Sequence, residues 1–456
     1  MSPYTGSMTG KTALVLAGGG AKGAFEAGAV KYLVEEERLL PDVVTATSVG
    51  AICAAVLAQA RTHDELCRRV QELHDDLLAM THRDLVFARQ PWLEALAGSA
   101  LGDAVERLVT EDTRPPLPGE PASAPPVRRR SRWRTAARVG RSLPHVVRAT
   151  RAYSHRTSSV LSLEPLAHAL RHGGDLAPVD PDLVSRPGLE LRMAVTALGD
   201  GVLRFVTGEG TLVEADAVTP VPNAGPVDVI EGVLASASVP MVFAPRPLGG
   251  DVYVDGGVVD NVPVGAAARL GATRIFAVLA IPLTQPPDTR DYTAVSGPGV
   301  FLRSVGGIAF AGRQLANLST TVPPGTEVTV IDPVIDVVGP FEVAQGLMLL
   351  DMDYGWMRAA DVVADVDDAT RARAAAATDA VTAGRTRAWH LEEAVWRSGR
   401  GGRRDLDELH RLKDTVRDAV AERKGLGLPT PPDAERWWMG HEVHQGPAPP
   451  GLAFDT

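Results

Sequence analysis

The sequence predicts an α/β fold, and three stretches carry that expectation. Thr12-Ala13-Leu14-Val15-Leu16-Ala17 reads as a buried strand that passes through a glycine-rich turn into the helical pattern Ala24–Leu33. Val43-Val44 leads through Thr45-Ala46-Thr47-Ser48-Val49-Gly50 into a second helix, Ala51–Leu57. Much later, the alternating run Val252-Tyr253-Val254 ends in Asp255 ahead of Gly256-Gly257, and Ile275–Ala280 is a further buried strand. Apolar strands that run through short turns into helices are the pattern of α/β proteins.

The first turn is Gly18-Gly19-Gly20-Ala21-Lys22-Gly23. Consecutive glycines let backbone N–H groups converge on one point, which suits an anion. Gly18, Gly20 and Gly23 also satisfy the GxGxxG pattern of dinucleotide-binding folds, which expects an acidic residue at the end of the second strand. Thr47 and Ser48 stand there instead, and Asp42 lies at that strand's start. A P-loop is excluded because Lys22 is followed by Gly23 and not by Ser or Thr.

The second turn places Ser48 between two small residues, Ala46 and Gly50. Two readings fit: a helix N-cap, or a nucleophile elbow whose hydroxyl is pushed out of a turn too tight for side chains at either flank. In the second reading the new helix aims its first N–H groups at charge forming beside the hydroxyl.

Asp64–Met80 carries a helical apolar stripe of Leu66, Val70, Leu73 and Leu77, and residues 84–111 are expected to continue mostly helical. Composition then changes. Residues 114–127 hold Pro115, Pro116, Pro118, Pro121, Pro125 and Pro126, an extended connector. Arg128, Arg129, Arg130, Arg132, Arg134, Arg138, Arg141, Arg148, Arg151 and Arg156 follow, with no acidic residue before Glu164. The bland reading is a solvated insertion. The sharper one is electrostatic contact with anionic lipid headgroups. Only Trp133 and Tyr153 are interleaved as stacking partners, so nucleic acid is not expected.

From Leu189 the core resumes. Leu191–Ala197 and Val202–Val206 form a strand pair about Gly199-Asp200-Gly201, and Val229–Ala237 is a short helix. Glu327–Ile331 is a strand, Phe341–Val363 a long helix, and the chain beyond Asp365 helical, with Leu406, Leu409, Leu412, Val416 and Val420 on one face. Trp437-Trp438 sits in a Pro-rich tail.

With 456 residues, 45% of them hydrophobic, the chain suits a large core with additions. A formal charge of −10 argues against a general polyanion binder. Two cysteines, Cys53 and Cys67, imply no disulfide framework. The first ten residues lack a signal-peptide layout, and no apolar run reaches the length of a membrane span. The expected location is cytoplasmic, with any membrane contact peripheral.

Taken together, Gly18-Gly19-Gly20-Ala21-Lys22-Gly23, the elbow at Ser48 and Asp255-Gly256-Gly257 resemble the patatin-like phospholipases, of the bacterial type. Ala235-Ser236-Ala237-Ser238-Val239-Pro240 before the aspartate and Asn261-Val262-Pro263-Val264 after it extend the resemblance over roughly residues 12–280. One departure is Ala46, where the family usually has glycine; alanine is the next-smallest choice and implies strain, not loss of the nucleophile.

The resemblance implies a three-layer fold with a mostly parallel central sheet flanked by helices, plus a C-terminal helical region. Its domain reading is 12–335 for the hydrolase, with an Arg/Pro-rich insertion at about 112–160, and 336–456 for the helical extension and tail. It also implies a Ser48–Asp255 dyad in place of a triad. The histidines downstream of Asp255 (His390, His410, His441, His444) all fall in the late helical or Pro-rich region. The oxyanion hole is assigned to Gly18, Gly19, Gly20, Ala21, Lys22, Gly23 and Val49, with Ala46 and Gly50 flanking the elbow and Gly256 and Gly257 following the base. No metal and no cofactor are implied. The expected partners are a lipid or ester substrate and an anionic membrane touched through residues 128–156, and the expected activity is that of a phospholipase A or lysophospholipase. A second class stays open: a non-catalytic or weakly active membrane-associated protein that keeps the fold.

Overall fold

The computed structural model describes residues 10–80, 83–94, 159–174, 176–284, 292–293, 300, 302–319, 322–398, 403–432 and 434–440. The Pro-rich connector and the arginine segment lie outside the described residues.

In chain order, β1 (Lys11–Leu16) leads to α1 (Gly23–Glu35), β2 (Val43–Ala46) to α2 (Val49–Leu57), and α3 (His63–Ala79) follows. Then come β3 (Ala88–Arg89), β4 (Leu161–Ser162), α4 (Glu164–His172), β5 (Glu190–Ala197), β6 (Leu203–Thr207), β7 (Leu212–Val213) and α5 (Val229–Ser236). The second half holds β8 (Arg246–Leu248), β9 (Asp251–Asp255), α6 (Val264–Arg269), β10 (Ala272–Val278), α7 (Phe310–Leu318) and β11 (Glu327–Ile331). Four helices close the described chain: α8 (Gln345–Val363), α9 (Asp368–Ser398), α10 (Arg403–Gly425) and α11 (Ala434–Met439).

The main sheet runs β11-β10-β1-β2-β5-β6-β7. Its first five strands are mutually parallel, while β6 and β9 pair antiparallel with β5. Alternation along the strands builds three layers. Leu14 and Leu16 of β1 join one core with Phe25 and Val30 of α1, whereas Ala13, Val15 and Ala17 join the opposite core with Val264 and Ala267 of α6. β10 divides the same way, Phe276 and Val278 to the first core and Ile275 and Ala277 to the second.

The stripe Leu66, Val70, Leu73, Leu77 is the buried face of α3, whose start is fixed by a Thr62–Glu65 capping box. Two expectations are corrected in part. Of the span 84–111, Arg83–Leu85 and Pro91–Glu94 are short helical turns, but Ala88–Arg89 between them is a strand paired with Leu161–Ser162, and residues 95–111 lie outside the described residues. The long helix begins at Gln345, not Phe341; the intervening residues make loop contacts described below.

α8 lies on α1, with Phe25 and Tyr354 edge to face at 5.4 Å and Tyr32 and Trp356 at 4.8 Å. Behind it, buried charges are paired: Glu392 takes both Arg385 (3.0 Å) and Lys413 (3.0 Å), and Asp361 holds Arg423. Trp438 is fully buried and donates to Asp353 at 3.0 Å, so this part of the tail packs on the core.

Candidate active site

Sheet register explains why residues more than two hundred positions apart meet. β2 and β9 share one edge of β5, because β6 occupies the other. β2 runs parallel to β5 and ends with Ala46 opposite Met193. β9 runs antiparallel and ends with Asp255 opposite Val195. The C-terminal ends of the two strands therefore point at each other across a two-residue interval of β5, with Ser48 just past one end and Asp255 at the other.

Ser48 occupies the N-cap position of α2, yet its side chain makes no capping hydrogen bond. Its backbone sits at φ 57°, ψ −125°, a conformation that costs a non-glycine residue about 1–3 kcal/mol. The side chain thus makes none of the bonds of a capping serine, and the turn is as tight as the second sequence reading requires. Gly50 cannot carry a side chain: a Cβ there would lie 2.6 Å from the Leu16 carbonyl oxygen and 2.7 Å from that of Ala17. Ala46 is fully buried.

Backbone and hydroxyl groups brace the turn. The Ser48 N–H donates to Ser236 Oγ at 3.0 Å, Thr45 Oγ1 to the Pro263 carbonyl at 3.0 Å, and Thr47 Oγ1 to the Asp260 carbonyl at 3.1 Å. The Ala235–Pro240 stretch thereby holds both ends of the site, because the Ser238 carbonyl accepts from the Asp255 N–H at 3.0 Å.

Asp255 is 4% exposed and Ser48 6%. Asp255 Oδ1 accepts from the Gly257 N–H at 2.7 Å, whereas Oδ2 is buried with no hydrogen-bond partner. Burial pushes this carboxyl up to about 7; the neighbouring Ser48 hydroxyl and the Gly257 N–H pull it back. Ser48 thus faces the carboxylate closely enough to affect its ionisation without a fully formed bond to Oδ2. Catalytic hydrogen bonds in unliganded sites commonly tighten only when substrate binds. Gly256 lies against the Ala194 carbonyl, where a Cβ would come within 2.4 Å.

The glycine loop divides into engaged and open donors. Gly18 N–H is held by Asn261 Oδ1 at 3.1 Å, and Ala21 N–H by the Pro340 carbonyl at 2.8 Å. Gly23 N–H turns back to Gly20 and Ala21 carbonyls, and Gly23 itself backs onto Val49. Lys22 is not extended toward Ser48 but forms a buried ion pair with Asp336. These contacts engage the N–H groups of Gly18, Ala21 and Gly23 and the ammonium of Lys22. Gly19, Gly20 and Val49 keep N–H groups without a hydrogen-bond partner among the described residues.

Gly20 has φ +66°, and a Cβ there would sit 2.2 Å from the Pro340 oxygen. Phe341 next to it packs with Phe87 and Phe243, at 6.3 and 6.4 Å. Asp336, Pro340 and Phe341 carry no motif that sequence reasoning recognises.

The groups that offset the effect of burial on the Asp255 carboxylate, the Ser48 hydroxyl and the Gly257 N–H, include no histidine. His390 lies on α9 against Trp389 and His410 on α10; His441 and His444 lie outside the described residues. Among the described residues no group of three His, Cys, Asp or Glu side chains is arranged to hold a metal ion.

The site is thus a serine on a strained strand-to-helix turn of an α/β fold, beside a buried carboxylate and near open backbone N–H groups. Residues 14–268, more than half of the chain, match the profile described as "Patatin-like phospholipase". The chain belongs to the patatin-like phospholipase family. A patatin-like phospholipase domain-containing protein of Pyricularia oryzae is 43% identical over 84 residues, 18% of this chain and 10% of that protein. Triacylglycerol lipase SDP1L of Arabidopsis thaliana is 50% identical over 48 residues, 10% of this chain and 6% of that one. The chain thus matches about a tenth or less of these relatives' length. They are fungal and plant proteins, so the sequence relatives carry the family and not a bacterial subtype. Among solved structures, VipD from Legionella pneumophila aligns over 98% of this chain and 94% of its own at 14% identity, with a TM-score of 0.28.

Proposed function

We propose that this chain is a serine acyl hydrolase that cleaves carboxylic esters of lipids, with Ser48 as nucleophile and Asp255 as its base. The observation that carries the reading is the pairing at the strand ends. Ser48 holds a strained backbone and an uncapped hydroxyl, and it faces a buried carboxylate whose Oδ2 has no other partner.

The chemistry follows from that geometry. Serine is a weak nucleophile until a base takes its proton. Ser48 Oγ attacks the ester carbonyl carbon while its proton moves to Asp255 Oδ2. The carbonyl oxygen becomes an oxyanion, received by the Gly19, Gly20 and Val49 N–H groups, donors of a kind worth about 3–4 kcal/mol each in a dry site. Collapse of the tetrahedral adduct expels the alcohol, which takes the proton from Asp255 and leaves an acyl-serine. Water then attacks the acyl carbon, gives its proton to Asp255, and the carboxylic acid departs as Ser48 recovers the proton. A carboxyl raised to about 7 suits both halves: ionised often enough to accept, yet basic enough to pull.

Lipid as the acyl donor is supported by the family and by the phospholipase and lipase names of the relatives. Phospholipase A or lysophospholipase activity is the finer form of the proposal. Contact with an anionic membrane through residues 128–156 belongs to it as well, supported by the charge of that segment. No helix among the described residues is long and apolar enough to cross a membrane. The test is fatty-acid release from phospholipid vesicles and from a triacylglycerol emulsion by the wild type and Ser48→Ala. Release by the wild type alone supports the proposal; equal release by folded Ser48→Ala sinks it.

A further inference from the structure

We propose that Gln314, on α7 and beyond the 14–268 family match, is a positioning residue that sets the oxyanion loop through Asn261; this rests on the hydrolase reading above. α7 has one buried face, and its buried members are Ala311 and Gln314. An amide on the buried face of an amphipathic helix displaces the apolar residue expected there and is tolerated only when its hydrogen bonds are made. Gln314 is 0% exposed and makes two: Nε2 donates to the Ile281 carbonyl at 3.0 Å, and Oε1 accepts from Asn261 Nδ2 at 2.9 Å.

Asn261, also 0% exposed, then clamps one residue of the loop from both sides. Its Nδ2 donates to the Gly18 carbonyl at 3.1 Å and its Oδ1 accepts from the Gly18 N–H at 3.1 Å. The polarity of this chain of bonds is fixed at one end. The Ile281 carbonyl only accepts, so Gln314 must turn its nitrogen there and its oxygen toward Asn261. Asn261 must in turn present nitrogen to Gln314, which leaves its oxygen for the Gly18 N–H. Gly18 is wedged between this amide and the nucleophile: a Cβ on it would lie 2.4 Å from Asn261 Oδ1 and 2.8 Å from Ser48 Cβ. The open N–H groups of Gly19 and Gly20 follow directly. The orientation of the donors relative to Ser48 is thus tied, through two amides, to a helix outside every motif of the site.

Gln314→Leu and Gln314→Glu test this on the full chain, with thermal melts to correct for folded fraction. Gln314→Leu removes both bonds and lowers kcat about ten- to a hundredfold, somewhat less than loss of an oxyanion donor itself, with KM nearly unchanged and at all pH values alike. Gln314→Glu carries the same shape. When protonated, its carbonyl oxygen accepts from Asn261 and its O–H donates to Ile281, so its kcat approaches the wild type at low pH and falls behind as pH rises. A side chain that merely fills space does not show that pH-dependent ratio. Independently of turnover, hydrogen–deuterium exchange of the peptide holding Gly18–Gly20 speeds up in Gln314→Leu.

An active wild type with unchanged kcat in Gln314→Leu, or a ratio flat between pH 6 and 9 for Gln314→Glu, overturns the positioning role and leaves the hydrolase reading intact. Exchange at Gly18–Gly20 equal to wild type overturns it too. A wild type with no esterase activity and no reaction at Ser48 removes the hydrolase reading, and this proposal with it.

Discussion

Replacing Asp255 by Asn makes the protein more stable at alkaline pH while stopping turnover. The wild-type carboxyl is fully buried, with one oxygen unpartnered, and burial moves it from 3.8 to about 7. Such a displacement corresponds to about 4 kcal/mol against the ionised form. The folded pKa is raised, so between about pH 4 and pH 7 the folded state keeps a proton that the unfolded chain has lost. Wild-type stability attributable to this group is therefore fully present below about pH 4, falls as pH rises through that window, and stays flat above it. Asn carries no charge at any pH and escapes the loss. Its Oδ1 keeps the Gly257 N–H, but its amide nitrogen enters the place where Oδ2 has no partner, which costs about 1–3 kcal/mol. The expected result is a stability difference, variant minus wild type, that is negative by about 1–2 kcal/mol at pH 4 and climbs to about 1–3 kcal/mol positive at pH 8. Denaturant unfolding at four or five pH values measures it, and all other titrating groups cancel in the difference. Ester hydrolysis by the variant falls about a thousandfold. A difference that does not change with pH refutes the assignment of a buried, raised carboxyl to Asp255.

Three further outcomes follow from the same contacts. Ser48→Gly relieves the φ 57° strain and unfolds at higher denaturant than Ser48→Ala by about 1–2 kcal/mol, although both are inactive; equal midpoints contradict the strained elbow. Gly20→Ala drives a Cβ into the Pro340 oxygen at φ +66°, lowering stability by about 1–3 kcal/mol and slowing reaction at Ser48, as a melt and a probe-labelling time course will register. Replacing the arginines between Arg128 and Arg156 with Gln weakens binding to anionic vesicles, at about 1 kcal/mol per residue near the surface, and the loss shrinks as salt rises. Vesicle sedimentation at two salt concentrations decides that point, and a short soluble ester should be cleaved at the unchanged rate.

Much of the architecture is legible in the chain because its signals are local. Buried strands such as Ala13–Leu16, the stripe on α3 and the Asp255-Gly256-Gly257 turn show their pattern within a few residues. The meeting of Ser48 and Asp255 is not local. It depends on β2 and β9 sharing one edge of β5, a register that no stretch of sequence displays. Ala88–Arg89 pairs with a strand more than seventy positions away, which is why this two-residue break between the helical turns Arg83–Leu85 and Pro91–Glu94 leaves no local signal. Phe341 and Val343 extend the apolar pattern of α8, but the chain there is drawn into the loop that binds Ala21 and Lys22. Identical N–H groups in the glycine loop look equally available until Asn261 and Pro340 are seen to engage two of them. Gln314 is invisible for the same reason, since nothing in Phe310–Leu318 marks one amide as buried.

The dyad is tested most directly by reacting the protein with a fluorophosphonate and mapping the adduct by mass spectrometry across a pH series. One phosphonyl group per chain is predicted, on the peptide containing Ser48, with a labelling rate that rises through about pH 7 as Asp255 ionises, and with no adduct in Ser48→Ala. An adduct on another residue, no adduct on folded wild-type protein, or a Ser48 labelling rate indifferent to pH between 5 and 8 contradicts it.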